Sequence, residues 1–475
     1  MAGHREKIDF YRPALRQCAM NSRDLLLRAL RNEATSRPAW VPFVGVHGAK
    51  LIGKTAREYL QSSELMAAGL RRARELYQPD GLPVAFDLQL EAEVLGCQLH
   101  WADQTPPSVC THPLEQGNSL LSLPVFDPSM GRFPLVMDTL RMTKKEMGGD
   151  IALYGLICGP FTLALHLMGN EIFLQMFDHP DYVRAVIGFA ASVGQKVAQA
   201  YLDNGADVIA VVDPMTSQIS SEHFDLFVTP AVNQIFAFVR DRQALSSLFV
   251  CGDATRNLEA MCRTGCDNIS IDENIALESI RDFTRGRDKS FGGNLKLTSA
   301  LLLGDEEDAQ LDAIRCIDVG GGCGFVLAPG CDLPFHTPEK NLVAISQMVH
   351  DSYRREVAKR TIVAKTAEHA AAVALPDYAA EPHVMVDVIT LDSASCAPCQ
   401  YMMDAVHRAA KRLSQPVIVK EHRITSREGI GTMTRLGVKN IPTICLDGTV
   451  AFSSIIPDQN TLVAVIEAKI QEKRK

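Results

Sequence analysis

The sequence predicts an α/β protein that consists of a large (β/α)₈ barrel followed by a smaller α/β domain. Two observations carry this prediction. Short apolar, β-branched runs alternate with longer helical patterns through the first three quarters of the 475 residues. The composition then changes to an Ala-rich stretch that ends in prolines, which is typical of a linker. Strands that alternate with helices pair in parallel through right-handed crossovers, and eight such units make a closed barrel.

Eight apolar runs are the predicted barrel strands. They cover residues 41–46, 82–87, 151–158, 207–213, 247–251, 268–272, 291–295 and 324–327. The longest insertion, at 103–145, is rich in Pro, Gly and Met, so we expect it to form loops over the mouth of the barrel. The predicted domains are a barrel at 1–363, a linker at 364–382 and a second domain at 383–475.

Composition and charge exclude several classes of function. The net charge of -8 argues against nucleic-acid binding, which needs clustered Lys and Arg. No apolar run reaches the roughly 18 residues of a membrane span, and charges occupy the place of a signal peptide's apolar stretch. We therefore expect a cytoplasmic protein, in which the 13 cysteines are reduced rather than paired in a disulfide framework.

The second domain carries a pair of cysteines at a predicted helix start. Its predicted order is a strand, Cys396-Ala397-Pro398-Cys399, a helix, a strand and a helix, then Ile441-Pro442, two strands and a last helix. A helix N-terminus lowers the pKa of the first thiol, and the second thiol can resolve a mixed disulfide. Half of a zinc site is the weaker alternative, because no second pair of ligands follows in the domain.

This domain resembles the small thioredoxin/glutaredoxin-like proteins over its whole length. The resemblance rests on SCAPC, NIPTICLDG and the last helix, which occur in the order typical of that fold. It implies that Pro442 forms a cis peptide bond and lies against Cys396 and Cys399 as part of a redox site. A domain that only docks partners is the alternative.

Reactive side chains follow the predicted strands and therefore lie at the barrel mouth, where barrel enzymes have their active sites. His47, Asp87 and Asp213 follow three of the predicted strands, and Cys251 and Cys331 follow the fifth and the eighth. Two thiolates with one or two nitrogen or oxygen ligands make a catalytic zinc site, which would hold a thiol substrate as its thiolate. Two unrelated buried cysteines are the alternative.

Residues 40–350 resemble the uroporphyrinogen decarboxylase superfamily, and within it the corrinoid-dependent methyltransferase branch. The stretches that carry the resemblance are FDLQLEAEVLGC (86–97), GPFTLALHLMG (159–169), NGADVIAVVDP (204–214), VCGDATRNLEAM (250–261), ISIDE (269–273) and FVLAPGCDLPFHTP (325–338). The decarboxylases use an arginine pair after the first strand, whereas this chain has VGVHGAKL (44–51) there. Asp87 matches their essential aspartate, but without the arginine pair tetrapyrrole decarboxylation is disfavoured.

The methyltransferase branch implies a zinc ion held by a His-x-Cys and by a cysteine in an Ala-Pro-Gly-Cys-Asp loop. Cys251 and Cys331 match the two cysteine positions, whereas Phe249 stands in the histidine position. The third ligand must then come from elsewhere on the mouth loops, or the two cysteines work as free thiols. The candidates for that ligand are His47, Glu91, Glu93, Asp213 and His336.

The resulting hypothesis is a methyltransferase that moves a methyl group between a corrinoid and a small-molecule thiol activated by zinc. Asp87, Glu91, Glu93 and Asp213 are its candidate catalytic residues, of which Asp87 and one of the two glutamates would orient the substrate or the metal. The chain has no D-x-H-x-x-G motif, so the corrinoid must come from a partner protein. The superfamily also allows a homodimer. The alternatives are a dithiol oxidoreductase or redox sensor with a metal-free barrel, and a decarboxylase of a small acid at Asp87.

Overall fold

The computed structural model describes residues 21–115, 118–362, 373–394 and 396–474. Its main sheet has eight strands in the order β1-β8-β7-β6-β5-β4-β3-β2, and every neighbouring pair is parallel. The Asp80 N–H donates to the Trp40 carbonyl at 2.8 Å and so joins the two outer strands. The predicted barrel is confirmed. The strands are β1 Ala39–Trp40, β2 Gly81–Pro83, β3 Ala152–Cys158, β4 Val208–Val212, β5 Leu245–Val250, β6 Asn268–Ile271, β7 Ser290–Leu295 and β8 Phe325–Pro329.

Helices surround this sheet and connect its strands. Among the described residues, none of the helices has both the length and the apolar character needed to span a bilayer. The α-helices of the barrel are Ser22–Leu30, His47–Leu51, Ala56–Tyr59, Ser63–Tyr77, Leu90–Val94, Phe133–Met147, Pro160–Met168, Ile172–Asp178, Pro180–Asp203, Ser221–His223, Thr229–Asp241, Leu258–Arg263, Leu277–Thr284, Glu306–Gly320, Glu339–His350 and Ser352–Thr361.

The first two strands lie earlier and are shorter than predicted. The predicted strand at 41–46 is wrong, because β1 ends at Trp40 and Pro42 has no N–H to continue the ladder. His47 consequently begins the helix His47–Leu51 instead of following a strand. The predicted loops at 103–145 are also wrong in their second half, where the helix Phe133–Met147 has Pro in its first turn.

A separate four-stranded sheet forms the second domain. Its strands are β9 Met385–Thr390, β10 Ile418–Arg423, β11 Thr443–Leu446 and β12 Thr449–Ser453, in the order β10-β9-β11-β12. β9 pairs in parallel with β10 and antiparallel with β11, and the helices of this domain are Ala397–Ala410, Arg427–Arg435 and Gln459–Lys473. The Ile441–Pro442 peptide bond is cis. The thioredoxin-like assignment and the domain boundaries stay predictions, and residues 364–372 of the predicted linker, with the last predicted barrel residue, 363, lie outside the described residues.

The two domains share a buried interface. The helix Ala397–Ala410 lies on the barrel, where the Tyr401 hydroxyl is 2.8 Å from the His166 ring Nδ1 and the Gln400 side chain donates to the Val109 carbonyl at 2.8 Å. Tyr401 and His166 are both fully buried. Because a buried polar group needs a partner, this hydrogen bond fixes how the second domain sits on the barrel.

Replacing Tyr401 with Phe should lower the free energy of unfolding by about 1–3 kcal/mol, because it removes the partner of His166 Nδ1 within the interface. Urea-induced unfolding followed by circular dichroism measures the change. The control is Tyr353→Phe, which alters an exposed tyrosine and should change stability by less than about 0.5 kcal/mol. Equal losses in the two variants would contradict the role of the interface bond.

Candidate functional site

A cavity of about 560 Å³ lies at the carboxyl ends of the barrel strands, between the barrel and the second domain. Barrel enzymes carry out their chemistry at this end, because the loops that follow the strands converge there. Both domains contribute side chains to it. Its polar and sulfur-bearing lining includes Gln218, Cys251, Asp272, Glu273, Cys331, Asp332 and His336 from the barrel and Cys396 and Cys399 from the second domain, beside Pro442.

Cys251 and Cys331 lie side by side in the cavity wall. Cys251 directly follows β5 and Cys331 follows β8, and the closed barrel brings the two Sγ atoms to 2.9 Å. The hydrogen bond with Cys331 and burial raise the pKa of Cys251 well above its usual value. Cys251 is therefore a thiol in the resting site, within reach of the Cys331 sulfur.

Aromatic rings pack next to these sulfurs. Phe249, in the position where the family motif has histidine, lies with its ring centroid 5.1 Å from that of Phe43 and 6.2 Å from that of Phe86. Cys251 and Cys331 pack against this cluster of barrel-interior side chains. The position of the expected third zinc ligand is therefore part of an apolar surface.

The residues present do not fit a zinc ion with three protein ligands. Cys251 and Cys331 supply two sulfur ligands, whereas catalytic zinc sites take three protein ligands. Within the described parts of the chain, no three His, Cys, Asp or Glu side chains are grouped so that they could hold a metal ion. The zinc site stays a prediction.

The two histidine candidates occupy different environments. His47 is fully buried, with Nε2 2.8 Å from the Tyr77 hydroxyl and Nδ1 3.2 Å from the Phe335 carbonyl. Burial lowers the pKa of His47 to about 4, so its neutral ring is a structural hydrogen-bonding group. His336 lines the cavity, and burial lowers its pKa from the usual value.

Asp87 and Glu93 are bound by one arginine. Arg132 donates to Asp87 through Nη1 and to Glu93 through Nε at 2.8 Å, and its guanidinium lies 4.8 Å from the centroid of the Trp101 ring. Neither carboxylate lines the cavity. A buried charge needs such a partner, so these groups support the β2 end of the barrel rather than face a substrate.

Glu91 lies behind the cavity against the end of β3. Its Oε1 accepts the Cys158 N–H at 3.0 Å, whereas Oε2 has no partner among the described residues. Burial raises the pKa of Glu91 to about 8, so the carboxyl is protonated at neutral pH. Glu91 is therefore held away from the four cysteines that line the cavity.

Asp213 caps a neighbouring helix. Its carboxylate accepts the Phe161 N–H at 3.2 Å, the Thr162 N–H at 2.8 Å and the Thr162 hydroxyl at 2.6 Å, at the start of the helix Pro160–Met168. Burial raises the pKa of Asp213 to about 6. A carboxylate at a helix start satisfies N–H groups that have no partner inside the helix.

The dithiol lies at the start of the helix Ala397–Ala410, with Cys396 as the N-cap residue. Cys399 is buried and accepts the Leu391 N–H at 3.3 Å, whereas Cys396 is half-buried. The expected lowering of the Cys396 pKa by the helix is wrong for this state: the hydrogen bond with Cys399 and burial raise the pKa of Cys396 well above its usual value.

The acidic residues on one side of the cavity, Asp332 and Glu273, were not among the site residues predicted from the sequence. The Asp332 carboxylate accepts the Gly45 N–H at 2.9 Å, and Glu273 accepts the Leu297 N–H. Burial raises the pKa of Asp332 well above its usual value and that of Glu273 to about 8. Gln218 is buried, and its Oε1 has no partner among the described residues. The positions of Asp332 and Glu273 at strand ends could have identified them from the sequence. Nothing in the sequence indicated that Arg132 pairs with Asp87 and Glu93.

Comparison with known proteins agrees with this architecture. The sequence model of the family described as Uroporphyrinogen decarboxylase (URO-D) matches residues 21–352. The chain belongs to this family.

Some curated relatives are named methyltransferases, and others, at 23% identity, are named uroporphyrinogen decarboxylase. The chain is similar to the Methanosarcina acetivorans protein named methylcobamide:CoM methyltransferase MtbA, at 28% identity over 326 residues that cover 67% of this chain and 95% of the relative. It is also similar to the methylated-thiol--coenzyme M methyltransferase of Methanosarcina mazei, at 28% identity over 278 residues, 56% of this chain and 72% of the relative. The predicted membership of the uroporphyrinogen decarboxylase superfamily is confirmed, and the similarity to these relatives favours its methyltransferase branch.

A solved structure of a methyltransferase from Methanosarcina mazei has the same barrel fold. Its TM-score is 0.65 at 24% identity, over 70% of this chain and 99% of that chain. The likeness supports the fold and does not extend to the arrangement of side chains in the cavity.

Glu91→Gln should make stability less dependent on pH. A carboxyl whose pKa rises from 4.5 when unfolded to about 8 when folded binds its proton more tightly in the folded state. Its contribution to stability is therefore full below about pH 4.5 and falls by about 1.4 kcal/mol per pH unit until about pH 8. Glu273 contributes in the same sense. Asp332 and, up to about pH 6, Asp213 do so as well, so the variant should lose only the share of Glu91, about 1.4 kcal/mol per pH unit.

Denaturant unfolding at pH 5, 6, 7 and 8 measures that slope. The control is Glu64→Gln, which changes an exposed glutamate and should retain the wild-type slope. An unchanged slope in Glu91→Gln would show that Glu91 is not protonated in the folded protein at neutral pH.

Proposed function

We propose that this chain is a methyltransferase that moves a methyl group between a corrinoid, carried by a partner protein, and a small acceptor thiol bound in the mouth cavity. The observation that supports the proposal most is the cavity itself, at the catalytic end of the barrel of a chain whose relatives are named methylcobamide:CoM methyltransferases. Its enclosed volume of about 560 Å³ suits a small acceptor.

Methylation of a thiol requires that its proton leaves. Zinc activation lacks a third ligand among the residues that the structure describes, so a carboxyl group of the cavity is the better candidate for proton acceptor. Glu273 lines the cavity, and its pKa of about 8 leaves about a tenth of it deprotonated at neutral pH, as a base about as strong as a small thiolate. We assign proton acceptance to Glu273, and positioning roles behind the cavity to Asp87, Glu91, Glu93 and Asp213.

The charge of the lining selects among acceptor thiols. Asp272, Glu273 and Asp332 face the cavity, and no Lys or Arg lines it within the described parts of the chain. An anionic group on the acceptor would lose its hydration without gaining a cationic partner. The proposed acceptor is therefore a neutral or cationic thiol.

A comparison of three acceptor thiols of similar size should reveal this preference. With methylcobalamin as the soluble methyl donor, 2-mercaptoethanol and cysteamine should be methylated about tenfold faster than 2-mercaptoethanesulfonate, which corresponds to about 1.4 kcal/mol. Loss of the methylcobalamin absorbance and mass spectrometry of the methylated thiol measure the rates. Faster methylation of the sulfonate would contradict the charge argument, and no transfer to any thiol would contradict the proposed function.

Glu273→Gln should lower the rate of methyl transfer by about 100-fold, because the amide cannot accept the thiol proton. The decrease should become smaller as the pH approaches the pKa of the acceptor, where the thiolate forms without a base. The matched control is Glu278→Gln, which alters an exposed glutamate in the helix Leu277–Thr284. A pH-independent decrease would indicate a structural role for Glu273.

A further inference from the structure

Two pairs of cysteines from different domains line the same cavity. Cys251 and Cys331 belong to the barrel, and Cys396 and Cys399 belong to the second domain. Residues beside the dithiol hold it there: Gln400 donates to the Val109 carbonyl at 2.8 Å, and the buried Tyr401 hydroxyl pairs with His166. The pairs therefore face one enclosed space.

A second contact ties the two sulfur-bearing loops together. The Asn440 side chain donates to Asp253 at 3.0 Å. Asn440 lies two residues before the cis Pro442, and Asp253 lies two residues after Cys251. The loop that flanks the dithiol is thus bonded directly to the loop that carries a barrel cysteine.

The four sulfurs differ in a way that suits thiol–disulfide exchange. Cys399 is buried under the half-buried Cys396, which is the arrangement of a resolving thiol behind an attacking one. The Cys251 and Cys331 sulfurs, 2.9 Å apart, need only a small approach to form a bond of about 2.05 Å. Cys399 and burial are the main causes of the raised pKa of Cys396. The Cys331 thiol adds to it, which agrees with a position of Cys331 close to Cys396.

We propose that the Cys396–Cys399 dithiol reduces a disulfide between Cys251 and Cys331 by direct exchange across the cavity. The Cys396 thiol loses its proton as its sulfur attacks one sulfur of the barrel disulfide, a mixed disulfide forms, and the other barrel sulfur leaves as a thiolate that takes up that proton. Cys399, having lost its proton, then attacks Cys396 and releases the second barrel sulfur. Two electrons pass to the barrel pair, and the second domain ends as the Cys396–Cys399 disulfide.

The exchange goes beyond the methyl-transfer proposal and does not depend on it. A peroxide is the class of oxidant that forms the barrel disulfide, and a small dithiol is the class of reductant that restores Cys396 and Cys399. The barrel pair is then a redox pair, which agrees with the arrangement that does not fit zinc. In this role the second domain keeps the cavity sulfurs in their thiol form.

A trapping experiment on the full chain tests the exchange. The exposed Cys110 and Cys323 are first replaced by Ser to remove side reactions. In this background, Cys399→Ser removes the resolving thiol, so an equimolar amount of hydrogen peroxide should trap Cys396 linked to Cys251 or Cys331. Alkylation in acid, digestion without reductant and mass spectrometry identify the linked peptides. A non-reducing gel should show the chain at monomer mass.

The controls define the other outcomes. The background protein, with both second-domain thiols, should end with a Cys396–Cys399 disulfide and free barrel cysteines, whereas Cys396→Ser should retain the barrel disulfide. A barrel disulfide beside a free Cys396 in the trapping variant, a link between two chains, or no barrel disulfide in Cys396→Ser would each overturn the proposal. Cys399→Ala provides a second trapping variant if Cys399→Ser does not fold. No corrinoid or acceptor is present, so a failure of methyl transfer has no influence on the result.

Discussion

The buried hydrogen bond between Tyr401 and His166 is the constraint on which the geometry of the site depends. His166 belongs to the helix Pro160–Met168, whose first turn is bound by Asp213 at the end of β4. Contacts therefore connect Asp213 at the end of β4, the helix that it caps, and Tyr401, which lies two residues after Cys399. Asp213, a candidate catalytic group in the sequence, acts through these contacts by positioning the helix that receives the second domain.

Enclosure of the cavity explains the protonation states of its acids and thiols. Burial raises the pKa of Glu273 to about 8, and that of Asp332 well above its usual value, because a buried carboxylate loses its hydration. The pKa of Cys251 is raised by its hydrogen bond with Cys331 and by burial. The resting site therefore holds protons on several groups, and in the proposed reaction the thiol passes its proton to the deprotonated fraction of Glu273, which grows as the pH approaches 8.

The sequence was sufficient for the barrel and for the location of the cysteines, because buried parallel strands are continuous apolar runs whose carboxyl ends meet at one mouth. It was insufficient for partners distant in sequence. Arg132 lies 45 residues from Asp87, and Tyr401 lies 235 residues from His166. Periodicity contains no information about which side chains meet at such separations. The end of β1 was misjudged for a local reason, since Pro42 stops the ladder inside an apolar run.

Phe249 connects the barrel chemistry to the presence of the second domain. With a phenyl ring in the place of an imidazole, the mouth retains two sulfurs and an apolar surface, and a zinc ion held by two thiolates alone lacks half of its four ligands. The same two sulfurs, 2.9 Å apart, are well placed to oxidise to a disulfide. A site of this kind works as a dithiol only while a reductant reaches it. The enclosed cavity limits access from solvent, and the Cys396–Cys399 pair already lies inside it.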